Sequence, residues 1–335
     1  MMNITGTASC TSKKLPEPRI LVSELANSEN EAELLDLFQA AFGHKMSPEL
    51  WDWKYHGLDT LGTLVRYGGR AVAFYGGMPR AIQLFGSPAT VVQVGDVMVH
   101  PQVRGILMRK GAFFQAAASF LERFVGQGKA FPIAFGFPSE RSYRLAEHLG
   151  LYERVGELMR VSWSALQARP SYKVRMRLLR HGKDAAAVDR LWREMAEALQ
   201  DQVVGVRDWA YLQHRYLQHP TFSYQLYLIS SRLTGTPLGI IVVRVLDDAV
   251  ELLDIIAPPQ RVVTLVHCLR RLTWNLGKEQ AYSWITRQHA PQFAGDTGEI
   301  TPTGIIIPHN RWTPGIVASE LQDRWWLMAG DTDFR

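Results

Sequence analysis

Cysteine is scarce in this sequence of 335 residues, which contains only Cys10 and Cys268. Two distant cysteines cannot build a disulfide framework, and neither lies in a CxxC pair or beside a histidine cluster typical of zinc sites. The sequence therefore predicts a protein of a reducing compartment that holds no structural metal.

Long apolar runs are lacking as well. The longest, such as LGIIVV at 238–243, are far shorter than the roughly 20 residues of a membrane-spanning helix. The polar N-terminal stretch has no apolar segment of the kind found in a secretory signal. We expect a cytoplasmic protein without a membrane partner, whose residues 1–18 form a flexible tail.

Runs of like charge are also missing. The net charge of +5 favours an anionic ligand somewhere on the surface. No long basic arm typical of nucleic-acid binding accompanies that charge. We therefore expect a small anionic ligand and no nucleic acid partner.

What the sequence does contain is one order of predicted elements that occurs twice. A hydrophobic fraction of 47% is ample for buried cores, and 335 residues fit one large domain or two ordinary ones. The first half predicts a helix (30–43), strands (63–66, 71–75, 80–85, 91–99), a helix (109–125), a strand (131–137), a helix (140–149) and a strand closing near Trp163. The second half predicts helices (184–200, 207–220), strands (224–229, 238–245, 250–257) and a helix (262–277).

Short local matches support the repeat. WDWKYHG at 51–57 resembles LQHRYLQHP at 212–220, and GDVMVHP at 95–101 resembles LLDIIAPP at 252–259. The sequence therefore predicts a mixed α/β (α+β) protein of two similar domains, 19–165 and 166–335. Two unrelated halves that share an architecture by chance are the alternative.

The turn after the strand at 91–99 is typical of an anion site. Gly105 and Gly111 flank the start of the next helix, where free backbone N–H groups and the helix dipole attract negative charge. Arg104, Arg109 and Lys110 add positive charge, and glycine lets the backbone approach a phosphate closely. The turn predicts a pyrophosphate site; a plain strand-to-helix turn with solvated basic residues is the alternative.

The stretch VHPQVRG, residues 99–105, resembles the signature of the GNAT superfamily of acyl-CoA-dependent N-acyltransferases. In that signature a strand and a V-x-P turn precede Q/R-x-x-G-x-G/A at the start of a helix. The match extends to Gly105, whereas Leu107 stands at the position of the second glycine. The resemblance covers most of the first half. It implies acetyl-CoA or another acyl-CoA as co-substrate, and in each half a mostly antiparallel twisted sheet flanked by helices.

The same resemblance implies which residues bind the cofactor. The backbone near Met98 and Val99 would hold the pantetheine arm and polarise the thioester carbonyl, and the amides from Arg104 to Ala112 would hold the pyrophosphate. The cofactor-binding residues implied in this way are Met98, Val99, Arg104, Gly105, Arg109, Lys110, Gly111, Ala112 and, at the place of a frequently cofactor-facing Asn, Ser142.

Two residues are candidates for acid–base catalysis. Asp96 lies in an apolar strand, where an unpaired carboxylate is costly, and a carboxylate there can take the proton of the attacking amine. The alternative is that Asp96 bonds the neighbouring backbone. The family's usual acidic tyrosine is replaced by Ala146, and Tyr143, one helical turn earlier, is the substitute; simple packing is the alternative.

Aromatic and acidic residues suggest the acceptor. Trp51, Trp53 and Tyr55 are candidates for an acceptor pocket, with packing at a helix start as the alternative. Asp331 and Asp333 lie in the ending GDTDFR, which resembles the G-D-E-x-Y-K ending of Fem-type transferase domains; a solvated turn is the alternative. These groups suggest an amino sugar or another small primary amine as acceptor.

The second half resembles a GNAT domain that has lost its cofactor turn. Its helix begins QRVVTLVHCLRRL without any glycine, so we expect no acyl-CoA there and a role in shaping the acceptor site or in structure. The sequence thus predicts an N-acyltransferase. Two alternatives stay open: a non-catalytic acyl-CoA sensor, and a Fem-type aminoacyl transferase.

Overall fold

The computed structural model of the protein describes residues 21–104, 111–168, 171, 173–332 and 334. The predicted N-terminal tail, Cys10 and several residues of the predicted phosphate turn therefore lie outside the described residues. Within the described ranges, no helix combines the length and the apolar character that crossing a bilayer requires.

The helices begin and end where the sequence offers caps. α1 stops at Gly43, whose φ of 81° is the left-handed conformation that glycine adopts readily. α2 follows Ser47, whose Oγ accepts the Leu50 N–H, and has Pro48 in its first turn. In chain order the helices are α1 (Glu31–Phe42), α2 (Pro48–Tyr55), α3 (Ala112–Phe124), α4 (Glu140–His148), α5 (Ala185–Ala198), α6 (Trp209–Leu212, continued by a π-helical turn at Gln213–Leu217), α7 (Val262–Asn275), α8 (Ala290–Ala294) and α9 (Ala318–Leu321).

The strands form two twisted sheets with helices against them. In chain order they are β1 (Leu21–Ala26), β2 (Gly62–Tyr67), β3 (Arg70–Leu84), β4 (Ser87–Val99), β5 (Ala134–Gly136), β6 (Tyr152–Ser164), β7 (Val174–Leu178), β8 (Val203–Gly205), β9 (Gln225–Ser231), β10 (Pro237–Val245), β11 (Ala249–Ile256), β12 (Gln280–Thr286), β13 (Glu299–Asn310) and β14 (Trp325–Trp326). The first sheet has the order β1-β2-β3-β4-β5, and the second has the order β13-β6-β12-β11-β10-β9-β7. Both sheets are mostly antiparallel, as predicted.

The two sheets exchange strands between the halves of the sequence. β6, which closes the first half, pairs with β12 and β13 of the second half. In return, β8 pairs with the end of β3, and β14 pairs with β8. Strand pairing therefore crosses the domain boundary that the sequence predicted near residue 165, and each sheet contains strands from both halves of the sequence.

One predicted pair of strands is a single strand. The runs at 71–75 and 80–85 were expected to be separate because Gly76, Gly77 and Pro79 lie between them, and that expectation was wrong. β3 passes through all three and pairs with β4 from Ala73 to Leu84, with one bulge. Gly77 lies under α3, where a Cβ would stand 2.5 Å from Phe120 Cζ, so a glycine is needed for close packing.

Corresponding residues of the two halves make the same local contacts. In each half a strand (β4 or β11), a 3₁₀ turn, a long helix (α3 or α7) and a parallel strand (β5 or β12) follow one another. Asp208 caps α6 through the Tyr211 N–H as Ser47 caps α2. Trp53 of α2 stacks on His214, its counterpart after α6, with ring centroids 5.0 Å apart. The short sequence matches between the two halves thus lie in segments that have the same secondary structure in both halves.

Candidate functional site

The first sheet opens at the end of β4. β5 is parallel to β4 and pairs with it only over Val92–Val94, whereas β4 continues to Val99. His100 donates its N–H to the Val72 carbonyl on the β3 side, so the N–H and C=O of Val99 point to the opposite edge, where β5 has diverged. A cavity of about 970 Å³ lies at this opening.

Asp96 lies at a β-bulge in the wall of that cavity. Phe74 pairs with Met98 and Gly76 with Gly95, so Asp96 and Val97 together oppose one residue of β3. The φ of Asp96 is 48°, a left-handed conformation that is uncommon for a residue other than glycine. The bulged residue Asp96 itself lines the cavity.

Two neighbours from the end of α2 hold this carboxylate. The Nζ of Lys54 lies 2.6 Å from Oδ2 of Asp96, and their side chains are 3% and 7% exposed. The Tyr55 hydroxyl donates a hydrogen bond of 2.8 Å to the same oxygen. Gly76 makes room for this contact, since a Cβ there would stand 2.6 Å from the Tyr55 hydroxyl oxygen.

The second half repeats the contact between tyrosine and aspartate. Tyr216 donates a hydrogen bond of 3.0 Å to Asp254, which occupies the matching position on β11. Arg207 forms a fully buried ion pair with Asp254, 2.8 Å long, and a second pair of 2.6 Å with Asp331. The Tyr–Asp bond therefore also anchors each helix to its bulged strand.

The predicted cofactor residues are divided among three surroundings. Val99 and Arg104 line the cavity, and the Arg104 Nε donates 2.9 Å to the Val99 carbonyl. Met98 points into the core on the other face of the sheet, packed with α1 and α2. Gly111 is the N-cap of α3 without a side-chain hydrogen bond, and Ala112 begins the helix, buried. Gly105, Arg109 and Lys110 lie outside the described residues.

Helix α4 presents one predicted residue to the cavity and turns another away. Ser142 and its neighbour Arg141 line the cavity at the start of α4. Tyr143 is buried, does not line the cavity, and donates a hydrogen bond of 2.7 Å to Glu147 on its own helix. Burial and the Glu147 carboxylate raise the pKa of Tyr143. The structure thus does not bring Tyr143 together with Asp96.

Another tyrosine pair does reach the cavity. Tyr75 of β3 and Tyr152 of β6 both line it, and their hydroxyl groups hydrogen-bond to each other. Burial raises the pKa of Tyr152 to about 12 and that of Tyr75 well above its usual value. Both hydroxyls therefore carry their protons at neutral pH and can act as donors.

The second half closes the cavity. Its described lining residues are His219, Thr221, Phe222 and Phe334 together with Pro308, His309 and Asn310 of β13. The Nδ1 of His219 accepts the backbone N–H groups of Thr221 and Phe222, both at 3.1 Å, which assigns the ring proton to Nε2. Burial, with Arg215 and Arg244 nearby, lowers the pKa of His219 to about 4. His219 is therefore neutral.

The predicted acceptor residues do not meet at the cavity. Trp51 is buried against Tyr55 and Phe74. Trp53 contacts the second half, donating its Nε1–H to the His214 carbonyl at 3.0 Å. Asp331 is held by Arg207, and Asp333 lies outside the described residues.

Several lining residues were not found from the sequence. Lys54 stands among aromatic residues in WDWKYHG, and an isolated lysine there gives no signal of a buried ion pair. His219 and Tyr152 reach the cavity from distant parts of the chain. The only available signal was the match between WDWKYHG and LQHRYLQHP, which pairs Tyr55 with Tyr216. Among the described residues, no group of three or more His, Cys, Asp or Glu side chains is arranged to hold a metal ion.

The comparisons with known proteins agree with this geometry. Residues 24–155 match the family model described as "Acetyltransferase (GNAT) domain". The chain is similar in structure to an Enterococcus faecalis V583 protein described as a probable N-acyltransferase, at 14% identity and TM-score 0.64 over 90% of this chain and 74% of that one. It is similar to a GCN5-related N-acetyltransferase of Anabaena variabilis at 15% identity and TM-score 0.64, over 87% and 72%.

A third similar structure is N-myristoyltransferase of Saccharomyces cerevisiae with bound myristoyl-CoA, at 11% identity and TM-score 0.56 over 94% of this chain and 86% of that one. No curated protein sequence matches the chain. At these identities the structural likenesses establish the fold, which is that of the GNAT transferases.

Proposed function

We propose that the protein transfers an acyl group from acyl-CoA to a primary amine, because residues 24–155 match the GNAT acetyltransferase family model. The observation that carries this proposal is the open edge of β4 beside a bulge that holds Asp96 in a cavity of about 970 Å³. That cavity has room for a pantetheine arm and an acceptor together. Acetyl-CoA is the proposed donor.

The donor binds along the open edge. The Val99 N–H points into the gap and bonds the pantetheine amide, as another strand would. The α3 N-terminus lacks a side-chain cap and so has backbone donors for the pyrophosphate. Arg104 and Arg141 line the same cavity and supply positive charge for the phosphates.

Asp96 is proposed as the base of the reaction. Tyr55 and Lys54 both contact its Oδ2, so Oδ1 is the oxygen that takes the proton of the attacking nitrogen. Tyr152 lies at the cavity with its proton in place, and we propose it as the donor to the leaving thiolate, in the role that the sequence suggested for Tyr143.

The second half is proposed to complete the acceptor site without binding acyl-CoA. The loop at His219–Phe222 and Phe334 cover the cavity of the first half, and the neutral His219 has one ring N–H to donate. The amino sugar suggested by the sequence stays a prediction. The Trp51 and Asp331 side chains that prompted it are committed to other contacts.

Calorimetric titration with acetyl-CoA tests the donor. Arg141→Glu reverses a charge in the cavity and is expected to weaken acetyl-CoA binding by about tenfold or more. The matched control is Arg144→Glu on the same helix, an exposed residue paired with Glu140 that does not line the cavity. Absence of acetyl-CoA binding by the unaltered protein contradicts the proposal.

The rate of acyl transfer tests whether Asp96 is the base. Asp96→Asn keeps the size of the side chain and removes the proton acceptor, so kcat/KM falls by about 10²-fold or more while acetyl-CoA affinity is kept. Full turnover in Asp96→Asn means that the carboxylate is structural, as Asp254 is. Acetyl-CoA binding with no turnover toward any amine favours the sensor.

A further inference from the structure

Arg104 holds two backbone carbonyls with one side of its guanidinium. Its Nε donates to the Val99 carbonyl at 2.9 Å, and its Nη2 donates to the Ala41 carbonyl at 2.5 Å. Ala41 lies in the last turn of α1, where helix carbonyls lack a partner within the helix and where α1 has no basic residue of its own. The arginine therefore joins the C-terminal end of α1 to the end of β4.

The Val99 carbonyl belongs to the open edge along which the donor is proposed to bind. His100 donates its N–H to Val72 on the β3 side, so both polar groups of Val99 face the gap beside β5. A ligand that lies along this edge as another strand uses the N–H and the C=O of the same residue. Arg104 already bonds that C=O, and both residues line the cavity. The guanidinium therefore competes with a pantetheine arm for this carbonyl.

The phosphates of CoA can remove the arginine from the carbonyl. A phosphate accepts two parallel N–H groups from a guanidinium, and such charge-assisted bonds are stronger than a bond to a neutral carbonyl. Arg104 lies in the turn between β4 and the uncapped N-terminus of α3, which is the place proposed for the pyrophosphate. Because Arg104 is exposed, its side chain can turn from the carbonyls to a phosphate without disturbing a core.

Resting on the acyltransferase function proposed above, the geometry points to Arg104 as the residue that selects the donor, because it caps the open edge of β4 until a donor with phosphates draws it away. A pantetheine thioester without phosphates meets the capped edge and binds weakly. An acyl-CoA engages the guanidinium with its phosphates and so frees the Val99 carbonyl for its own pantetheine arm. Arg104 thereby favours CoA thioesters over free pantetheine thioesters.

Calorimetry with acetyl-CoA and S-acetylpantetheine tests this role. The two compounds share the acetyl group and the pantetheine arm, and they differ in the phosphates and the adenosine. Dissociation constants suffice, so no acceptor amine is needed. Arg104→Ala is expected to weaken acetyl-CoA binding by about tenfold, because a charge-assisted contact is lost. It is expected to tighten S-acetylpantetheine binding by about fivefold, because the Val99 carbonyl is then free.

The direction of the second change is decisive. If Arg104 only binds phosphates, its removal leaves the affinity for S-acetylpantetheine unchanged, and if it only supports α1, its removal lowers that affinity. Either result overturns the inference. Arg141→Ala is the matched comparison, because Arg141 also lines the cavity but lies on α4. It is expected to weaken acetyl-CoA binding without tightening that of S-acetylpantetheine, and a tightening as large as in Arg104→Ala contradicts the role of the Val99 carbonyl.

Inorganic pyrophosphate supplies a test in the unaltered protein, which decides the question if Arg104→Ala fails to fold. Pyrophosphate offers the guanidinium its phosphate partner and leaves the edge of β4 open. It is therefore expected to tighten S-acetylpantetheine binding by about threefold, compared with sodium chloride at the same ionic strength. In Arg104→Ala this effect disappears. An affinity that pyrophosphate leaves unchanged or lowers overturns the inference.

The two proposals fail in distinguishable ways. If acetyl-CoA does not bind to the unaltered protein, the acyltransferase function fails and takes the inference with it. If acetyl-CoA binds and S-acetylpantetheine binds equally well, the function holds and the inference about Arg104 is wrong.

Discussion

Asp96 and Asp254 occupy matching places on two bulged strands, and each accepts a hydrogen bond from a tyrosine of the preceding helical segment. Their surroundings differ. The side chain of Asp254 is fully buried and paired with Arg207, whereas Asp96 lines a cavity and is paired with Lys54. The same local bond therefore serves stability alone in one half and stability together with a proposed chemical role in the other.

Removal of the two hydroxyls should separate these roles. Tyr55→Phe is expected to lower the free energy of unfolding by about 1 kcal/mol, the usual net value of a buried hydrogen bond, and also to lower kcat. Tyr216→Phe leaves a fully buried carboxylate with one donor fewer, so about 1–3 kcal/mol is expected, with kcat unchanged per folded molecule. Urea denaturation measures the free energy of unfolding of each variant, and turnover measures its kcat. Equal loss of kcat in the two variants contradicts the assignment.

His219 predicts a pH dependence of stability. Its pKa in the folded protein is about 4, below the usual histidine value, because burial and the nearby Arg215 and Arg244 disfavour the charged ring. The unfolded chain therefore binds a proton first as the pH falls, and stability is full above about pH 6.5 and declines toward pH 4.

Denaturation midpoints between pH 7 and pH 5 measure this decline. His219→Gln should flatten part of it, and the rest stays because burial also lowers the pKa of His289 to about 4. A slope in His219→Gln as steep as in the unaltered protein contradicts the prediction.

At the scale of elements, the packing of α3 on β3 depends on a missing side chain. A Cβ on Gly77 would stand 2.5 Å from Phe120 and 2.7 Å from Val92. Gly77→Ala should therefore push α3 outward and cost about 1–3 kcal/mol. Gly156→Ala is the matched control in β6, because its Cβ would meet only the end of Ile307 at 3.3 Å, so its cost is smaller. Urea denaturation compares the two, and equal costs contradict this reading of the packing.

The elements that the sequence predicted well are those with local signals. α1 and α4 lie within one residue of the predicted bounds because caps and apolar spacing mark their ends. β3 was predicted as two strands because Gly76, Gly77 and Pro79 are normally breakers, and only the packing of α3 and Tyr55 requires glycines there. Strand exchange depends on pairing between distant segments, which no local pattern records.

In the candidate site too, the residues with a local sequence signal were predicted and those brought together only by the fold were not. Asp96, Val99 and Arg104 were found because they belong to one contiguous motif that also forms the bulge and the cavity wall. Tyr152 and His219 were missed because only the fold brings their segments to β4. Tyr143 was chosen by helical spacing, and the structure shows that this face of α4 points into the core.

At the scale of the whole molecule, the two sequence halves are joined by strands that pair in the other half's sheet. β6 of the first half pairs with β12 and β13, and β8 of the second half pairs with β3 and β14. A fragment of residues 19–165 leaves β6 without the strands it pairs with and leaves β3 without β8. We expect neither this fragment nor 166–335 to fold alone, and the intact chain to unfold in one transition. Circular dichroism and tryptophan fluorescence during urea denaturation check this. Two separate transitions, or a folded fragment, contradict it.

The position of β14 has a consequence for how the protein is made. Trp325 and Trp326 pair with Val203 and Val204 of β8, which in turn lies against the end of β3. The sheet that carries the open edge is therefore completed by residues that the ribosome adds after most of the second half. A nascent chain stopped before Trp325 holds the family motif in full and still lacks its finished sheet, so synthesis of the second half is a condition for assembly of the first.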